Sequence, residues 1–209
     1  MKAKEDKKLN IPTLKRLPLY YNIAVRALAR GENYISSAFI AEKLDIDATQ
    51  VRKDIAAIGY VGKPKVGFDA KEFSAHLEIF LGFSKERNVI LIGAGNLGIA
   101  LAKYDGFTQY GLSIKAIFDK DPEKIGTKIA DKDVIDMNKL SEYIKEHDIK
   151  IAIITIPAQY AQKVADQLIS NGVKAIWNFA PVNLNLPKEV ICWNQDLAAS
   201  FITFVQLLD

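Results

Sequence analysis

The chain has one cysteine, two histidines and no apolar run approaching the ~20 residues that a membrane-spanning helix requires. Each scarcity closes off a class of protein. The lone thiol, Cys192 in the apolar run Val190-Ile-Cys-Trp193, can make no internal disulfide, which fits a reducing compartment and a small core side chain. His76 and His147 sit in helical stretches as surface residues, and no metal-ligand spacing, Gly-x-Ser-x-Gly or Cys/His pairing occurs. No metal and no hydrolytic chemistry are expected. The stretch MKAKEDKKLN is charged and lacks the apolar segment of a secretory leader, so a cytoplasmic protein without membrane attachment is expected. A net charge of +3 is too small to argue nucleic-acid binding by itself.

What is present is unevenly distributed. Residues 1–65 carry 13 Lys+Arg against 7 Asp+Glu, and the remainder carries 15 against 18. A basic module joined to a slightly acidic one is the simplest reading, and 209 residues exceed the roughly 100 to 150 of a common single domain. The boundaries read as residues 1–84, 85–195 and a final segment 196–209.

The chain is organised around Asn88-Val-Ile-Leu-Ile-Gly-Ala-Gly-Asn-Leu-Gly-Ile-Ala100. An all-apolar run of strand length passes into G-x-G-x-x-G and then into a helical pattern, the opening of a dinucleotide-binding βαβ unit. Gly93 permits the sharp turn, Gly95 lets a pyrophosphate approach backbone N–H groups, and Gly98 lets the helix lie close to the sheet. The carboxylate that should reach the adenosine ribose follows at the end of the strand Lys115-Ala-Ile-Phe-Asp119. Strand and helix patterns then alternate. A weak strand lies near Val134–Asp136 and a helix spans Asn138–His147. Lys150–Thr155 is an apolar strand, Ala158–Ser170 a helix, and Val173–Trp177 and Val190–Trp193 are two more strands. A doubly wound parallel α/β sheet in the order 3-2-1-4-5-6 is expected, with Thr155, Ile156, Pro157, Asn178 and Phe179 at the strand ends beside the cofactor. From Asp196, which can cap it, a final helix runs to Leu208 with an apolar face suited to a dimer partner, and an exchange between subunits is one arrangement.

The first eighty residues read as helices over Thr13–Ala29, a short one carrying Phe39, Ile40 and Leu44, and one over Asp47–Ile58, with a fourth from Asp69 to Phe80. Two short helices joined by a tight turn make a helix-turn-helix. On its second helix Val51, Ile55 and Ile58 form the buried face, leaving Thr49, Gln50, Arg52 and Lys53 to read bases and phosphates or merely to face solvent. Gly59–Phe68 reads as two short β pieces around a Gly-Lys-Pro-Lys tip, a wing whose Lys63 and Lys65 would meet DNA. A dehydrogenase with an amino-terminal interaction domain is the alternative, with Tyr104 and Asp196 as acid and base, but little chain remains for a substrate domain.

Taken together, Arg16-Leu-Pro-Leu-Tyr-Tyr21, Ser36-Ser37, Val51-Arg-Lys-Asp54, Gly93-Ala-Gly-Asn-Leu-Gly98, Ala100–Tyr104 with Gly106-Phe107, Phe118–Gly126, Thr155-Ile-Pro157 and Trp177-Asn-Phe179 resemble the Rex family of redox-sensing transcriptional repressors over nearly the whole chain. The resemblance implies a homodimer with a winged-helix domain, a Rossmann domain and a swapped carboxy-terminal helix. It implies binding to double-stranded operator DNA when free or carrying NAD⁺, and release on NADH. Carried over by motif, Arg16, Tyr104 and Asp196 match residues whose contacts near the nicotinamide differ between the two states. The cofactor residues so implied are Gly93, Ala94, Gly95, Asn96, Leu97, Gly98, Tyr104, Phe107, Asp119, Lys120, Thr155, Ile156, Pro157, Asn178 and Asp196, for NAD(H). Those toward DNA are Arg16, Ser37, Thr49, Gln50, Arg52, Lys53, Lys63 and Lys65. The wing departs from the family's Gly-Lys-Arg-Gly-Val-Gly-Tyr, with Pro64 in the arginine's place, and Ala56-Ala57 stand where Ser-Tyr is common. Asp119 favours NAD over NADP, since it would accept from a ribose 2′-OH and repel a 2′-phosphate.

Overall fold

The computed structural model describes residues 9–208, which fall into two units divided between Lys85 and Glu86. The lysine-rich start, to which the charge asymmetry and the reading of a missing leader partly refer, lies outside the described residues.

In the first unit helix α1 (Ile11–Ala29) is followed by strand β1 (Tyr34–Ile35), helices α2 (Ser37–Leu44) and α3 (Ala48–Ala57), strand β2 (Phe68–Asp69) and helix α4 (Ala70–Leu81). The helices start where side chains can cap them: Asn10 accepts from Thr13 N–H, Ser36 from Phe39 N–H, and Asp69 from Lys71 and Glu72 N–H. Leu17, Tyr20, Ile40, Val51, Ile55, Phe73 and Leu77 meet in one core. Each such side chain taken from water contributes about 1.5 to 3 kcal/mol. The wing differs from expectation on one limb. Only Lys63 and Gly67 bridge, and the outgoing strand β2 pairs antiparallel with β1, so Tyr60–Gly62 forms no strand.

The second unit contains β3 (Arg87–Ile92), α5 (Asn96–Ala102), a short 3₁₀ turn (Asp105–Tyr110), β4 (Leu112–Asp119), β5 (Lys128–Ile129) and β6 (Lys132–Asp136). A second 3₁₀ turn (Met137–Lys139) leads to α6 (Leu140–Glu146), β7 (Ile151–Ile154), α7 (Ala158–Ser170), β8 (Ala175–Asn178), β9 (Ile191–Asn194) and α8 (Leu197–Val205). The sheet order is β5-β6-β4-β3-β7-β8-β9. All pairs are parallel except β5 with β6, so the expected doubly wound order is present with one added antiparallel edge strand. Central β3 is buried on both faces, with Ile90 and Ile92 in one core and Val89 and Leu91 in the other. That two-sided burial is why the strand reads as an unbroken apolar run. Its carboxyl end lies where the connections diverge to β4 and β7, the crevice in which such sheets hold ligands. Helix α8 has no buried residue.

Candidate functional site

The glycine turn joins β3 to α5. Gly93 has φ +105°, a conformation that L side chains rarely adopt, and a Cβ there would also meet Ile156 Cγ2 at 2.7 Å. A Cβ on Gly98 would collide with the Gly93 carbonyl, whereas one on Gly95 would meet nothing within 4 Å. Gly93 and Gly98 are therefore glycines for the fold, and Gly95 is free of any packing demand. No side chain caps α5. The N–H groups of its first turn, at Asn96, Leu97 and Gly98, have no helical acceptor and suit a phosphate oxygen. Thr155 steadies the turn from β7, its hydroxyl donating to the Ile92 and Gly93 carbonyls at 3.0 Å each.

Asp119, at the end of β4, is held in place by the backbone. Oδ2 accepts from Ala94 N–H at 2.6 Å and Oδ1 from Asp121 N–H at 3.0 Å, with Lys124 Nζ at 4.0 Å. A pocket of about 480 Å³ opens beside it, bounded by Gly93, Gly95, Lys120, Thr155, Ile156 and Pro157. Phe118, Met137 and Val164 give it an apolar wall, and Tyr160, Lys163 and Gln167 of α7 complete it. An open glycine turn, a fixed carboxylate and an apolar slot are what a dinucleotide's pyrophosphate, ribose and adenine require, so the residues present fit NAD(H). Sequence reasoning missed the α7 wall, although Tyr160, Val164 and Gln167 recur at helical spacing just beyond Pro157.

Other expected cofactor residues fall elsewhere. Tyr104 is exposed and meets Phe107 edge-on at 4.9 Å between ring centroids. That pair lines a separate, polar hollow with Asp105, Ser113 and Lys115. Phe107 also meets Trp177, which packs on Phe179, along the other face of the sheet. Asn178 is a correction: it is wholly buried, its Nδ2 donating to the Val182 carbonyl and Asn194 Oδ1 and its Oδ1 accepting from Ala180 N–H. Its side chain is taken up in shaping the loop after β8. Asp196 caps α8, accepting from Ala199 N–H at 2.9 Å. Lys120 lies over the Tyr160 ring, 4.1 Å from its centroid.

In the first unit Thr49, Arg52 and Lys53 stand exposed on α3. Arg52 donates to Ser37 Oγ at 3.3 Å and Thr49 Oγ1 at 3.0 Å, gathering the hydroxyls of both helices beside one guanidinium. Two expected readers turn inward instead. Gln50 donates to Asp54 Oδ1 at 2.8 Å, and Arg16 forks onto the same carboxylate. Asp54 is 2% exposed and also accepts from Thr13 and Tyr20 hydroxyls. Burial would raise its pKa, but the donors from Arg16, Tyr20, Gln50 and Thr13 outweigh that and bring it down to about 2. The same pairing raises the Arg16 pKa further. A carboxylate inside the apolar stripe of Val51 and Ile55 was the signal that such donors must exist. At the wing, Lys63 donates to the Tyr34 hydroxyl at 3.4 Å, and Lys65 has φ +62°.

A family model described as "Putative DNA-binding protein N-terminus" matches residues 8–56, and one described as "CoA binding domain" matches residues 84–182. The chain is 43% identical to the redox-sensing transcriptional repressor Rex of Treponema denticola, covering 91% of this chain and 90% of that one. The chain belongs to the Rex family. The Rex of Clostridium perfringens is 38% identical over 98% of this chain and 97% of its own. Among solved structures, a Rex-family repressor called RSP, in complex with β-NAD⁺ and operator DNA, has a TM-score of 0.91 at 37% identity. That match covers 97% of this chain and 93% of that one. RSP in complex with β-NADH has a TM-score of 0.87 at 37% identity, covering 96% and 94%. Rex proteins are regulators, so the dehydrogenase alternative lapses. At the wing, the left-handed φ of Lys65 is one that glycine adopts more readily than a residue with a Cβ.

Among the described residues no helix is long and apolar enough to cross a membrane, and no group of three or more His, Cys, Asp or Glu could hold a metal ion.

Proposed function

We propose that this chain is an NADH-responsive repressor acting in the cytoplasm as a homodimer. It holds double-stranded operator DNA through the first unit and releases it when the pocket at the glycine turn takes up NADH. The observation that carries this reading is the joint presence of a Gly95 free of packing and an Asp119 already fixed by backbone N–H groups. Asp119 would accept from the adenosine ribose, and the first-turn N–H groups of α5 would meet the pyrophosphate. Thr155, Ile156 and Pro157 would flank the path toward the nicotinamide.

When bound, the coenzyme supplies a charge difference, since the oxidised nicotinamide ring is positive and the reduced ring is neutral. Tyr104 and Asp196 are the residues proposed to respond to it. A coupling of about 1 to 3 kcal/mol between coenzyme and DNA sites suffices for a switch. On the first unit Thr49, Arg52 and Lys53 would face the groove, with Ser37, Lys63 and Lys65 on the backbone. Dimerisation is supported by α8, where Leu197, Phe201, Phe204 and Leu208 are all exposed in the single chain.

A gel-shift titration on a duplex carrying the operator tests the proposal. NADH should displace the protein and NAD⁺ should not, with no turnover of either; DNA binding indifferent to saturating NADH overturns it.

A further inference from the structure

Tyr160 and Lys120 belong to the coenzyme pocket but are explained by neither the glycine turn nor the ribose carboxylate. They come from opposite sides of it. Lys120 follows Asp119 at the end of β4, and Tyr160 lies in the first turn of α7 beyond β7. Their side chains meet across the gap, the ammonium 4.1 Å from the ring centroid. Both are exposed to solvent while lining the pocket, so the pair belongs to its solvent-side lining, whereas Phe118 in the same lining is buried. Contact with Gln159 and with the ammonium also lowers the Tyr160 pKa. Tyr160 belongs to no core cluster, and the ion pairs beside Asp119 and Asp121 are made by Lys124 and not by Lys120.

Resting on the coenzyme reading above, we infer that the Lys120–Tyr160 bracket closes over the adenine and sets a common affinity for every ligand carrying an adenosine diphosphate group. An aromatic ring with a cation on it is a stacking surface for a neutral base, and the alkyl stem of the lysine adds apolar cover. The bracket lies at the Asp119 end of the crevice, beside the half of the dinucleotide that is identical in NADH and NAD⁺. Its contribution therefore cancels from the ratio of the two affinities. The bracket fixes the coenzyme concentration at which the protein fills, and the nicotinamide end fixes which redox form moves the DNA.

The test is a set of binding titrations of NADH, NAD⁺ and ADP by calorimetry on the intact protein, its Tyr160→Ala and Lys120→Ala variants, and Tyr160→Phe. Tyr160→Ala should weaken all three ligands by a similar factor, about tenfold, the size of one desolvated ring and cation contact. Lys120→Ala should weaken all three less, and Tyr160→Phe should retain the wild-type values because the ring remains. The NADH to NAD⁺ affinity ratio should stay constant throughout. Unchanged affinities in Tyr160→Ala, or a loss for the two dinucleotides but not for ADP, overturn the bracket while leaving the coenzyme site standing. A wild-type protein that binds none of the three overturns the coenzyme reading itself. Since Tyr160 is 42% exposed, matched melting temperatures of the variants will show that folding is not at issue.

Discussion

Arg16 and Asp54 meet through two hydrogen bonds, Nε to Oδ2 at 2.6 Å and Nη2 to Oδ1 at 3.0 Å, and so join α1 to the buried side of α3. With Thr13, Tyr20 and Gln50 on the same carboxylate, every lone pair that faces the protein has a donor. The fork fixes the angle at which α3 is presented, which an apolar contact of equal area would leave less defined.

Removing the carboxylate should be costly, because Arg16 and Tyr20 lose their shared acceptor. Asp54→Ala is expected to lower unfolding free energy by about 3 kcal/mol in urea. The pH dependence has a definite sign. The folded-state pKa of about 2 lies below the ordinary 3.8, so the unfolded chain takes up the proton first as pH falls. Asp54 thus contributes about 2 kcal/mol above roughly pH 4 that is lost progressively toward pH 2. Melting curves of wild type and Asp54→Asn should converge over that window; a constant gap between them would show that the ionised form is not what matters.

The glycines separate folding from binding. Gly98→Ala should destabilise by about 1 to 3 kcal/mol, since its Cβ runs into the Gly93 carbonyl. Gly95→Trp, placed where no atom lies within 4 Å, should leave the melting temperature and DNA binding close to wild type and abolish the NADH response. A Gly95→Trp protein that still releases DNA on NADH would be decisive against this site.

Arg52→Ala and Lys53→Ala should each weaken duplex binding and reduce the slope of log affinity against log salt by about one for each phosphate no longer neutralised. Arg52→Ala should do more, because it also frees Ser37 and Thr49. At the wing, Lys65→Gly relieves a left-handed residue and should raise stability by about 1 kcal/mol while lowering DNA affinity. Unaltered salt slopes in all three variants would move the DNA-binding surface elsewhere.

Helix α8 offers a test of assembly. Phe201 and Phe204 are 64% and 58% exposed, so replacing both with Asp leaves the core of the single chain untouched. Sedimentation should find a dimer for wild type and a monomer for the double variant at micromolar concentration, with similar circular dichroism. A wild-type monomer would leave the apolar face unexplained.

The fold was legible wherever burial forced a pattern. Val89–Ile92 had to be apolar throughout because both faces of β3 are covered, and Ala158–Ser170 shows the period of a helix with one face on the sheet. The two-residue strands Tyr34–Ile35 and Lys128–Ile129 are too short to carry any period. Polar side chains were the harder part. Nothing local to Gln50, Arg16 or Asn178 tells whether they face solvent or an internal partner, because Asp54 and the loop after β8 reach them only through tertiary structure. The glycine turn and Asp119 were readable for the opposite reason: their constraint is local backbone geometry.

The anchoring of Asp119 has a consequence for timing. Because Ala94 and Asp121 N–H groups already orient its two oxygens, a ribose arriving as proposed would meet a carboxylate that needs no reorientation. On that reading the lifetime of the complex, more than its formation, would set how long the protein keeps the record of a burst of reducing power.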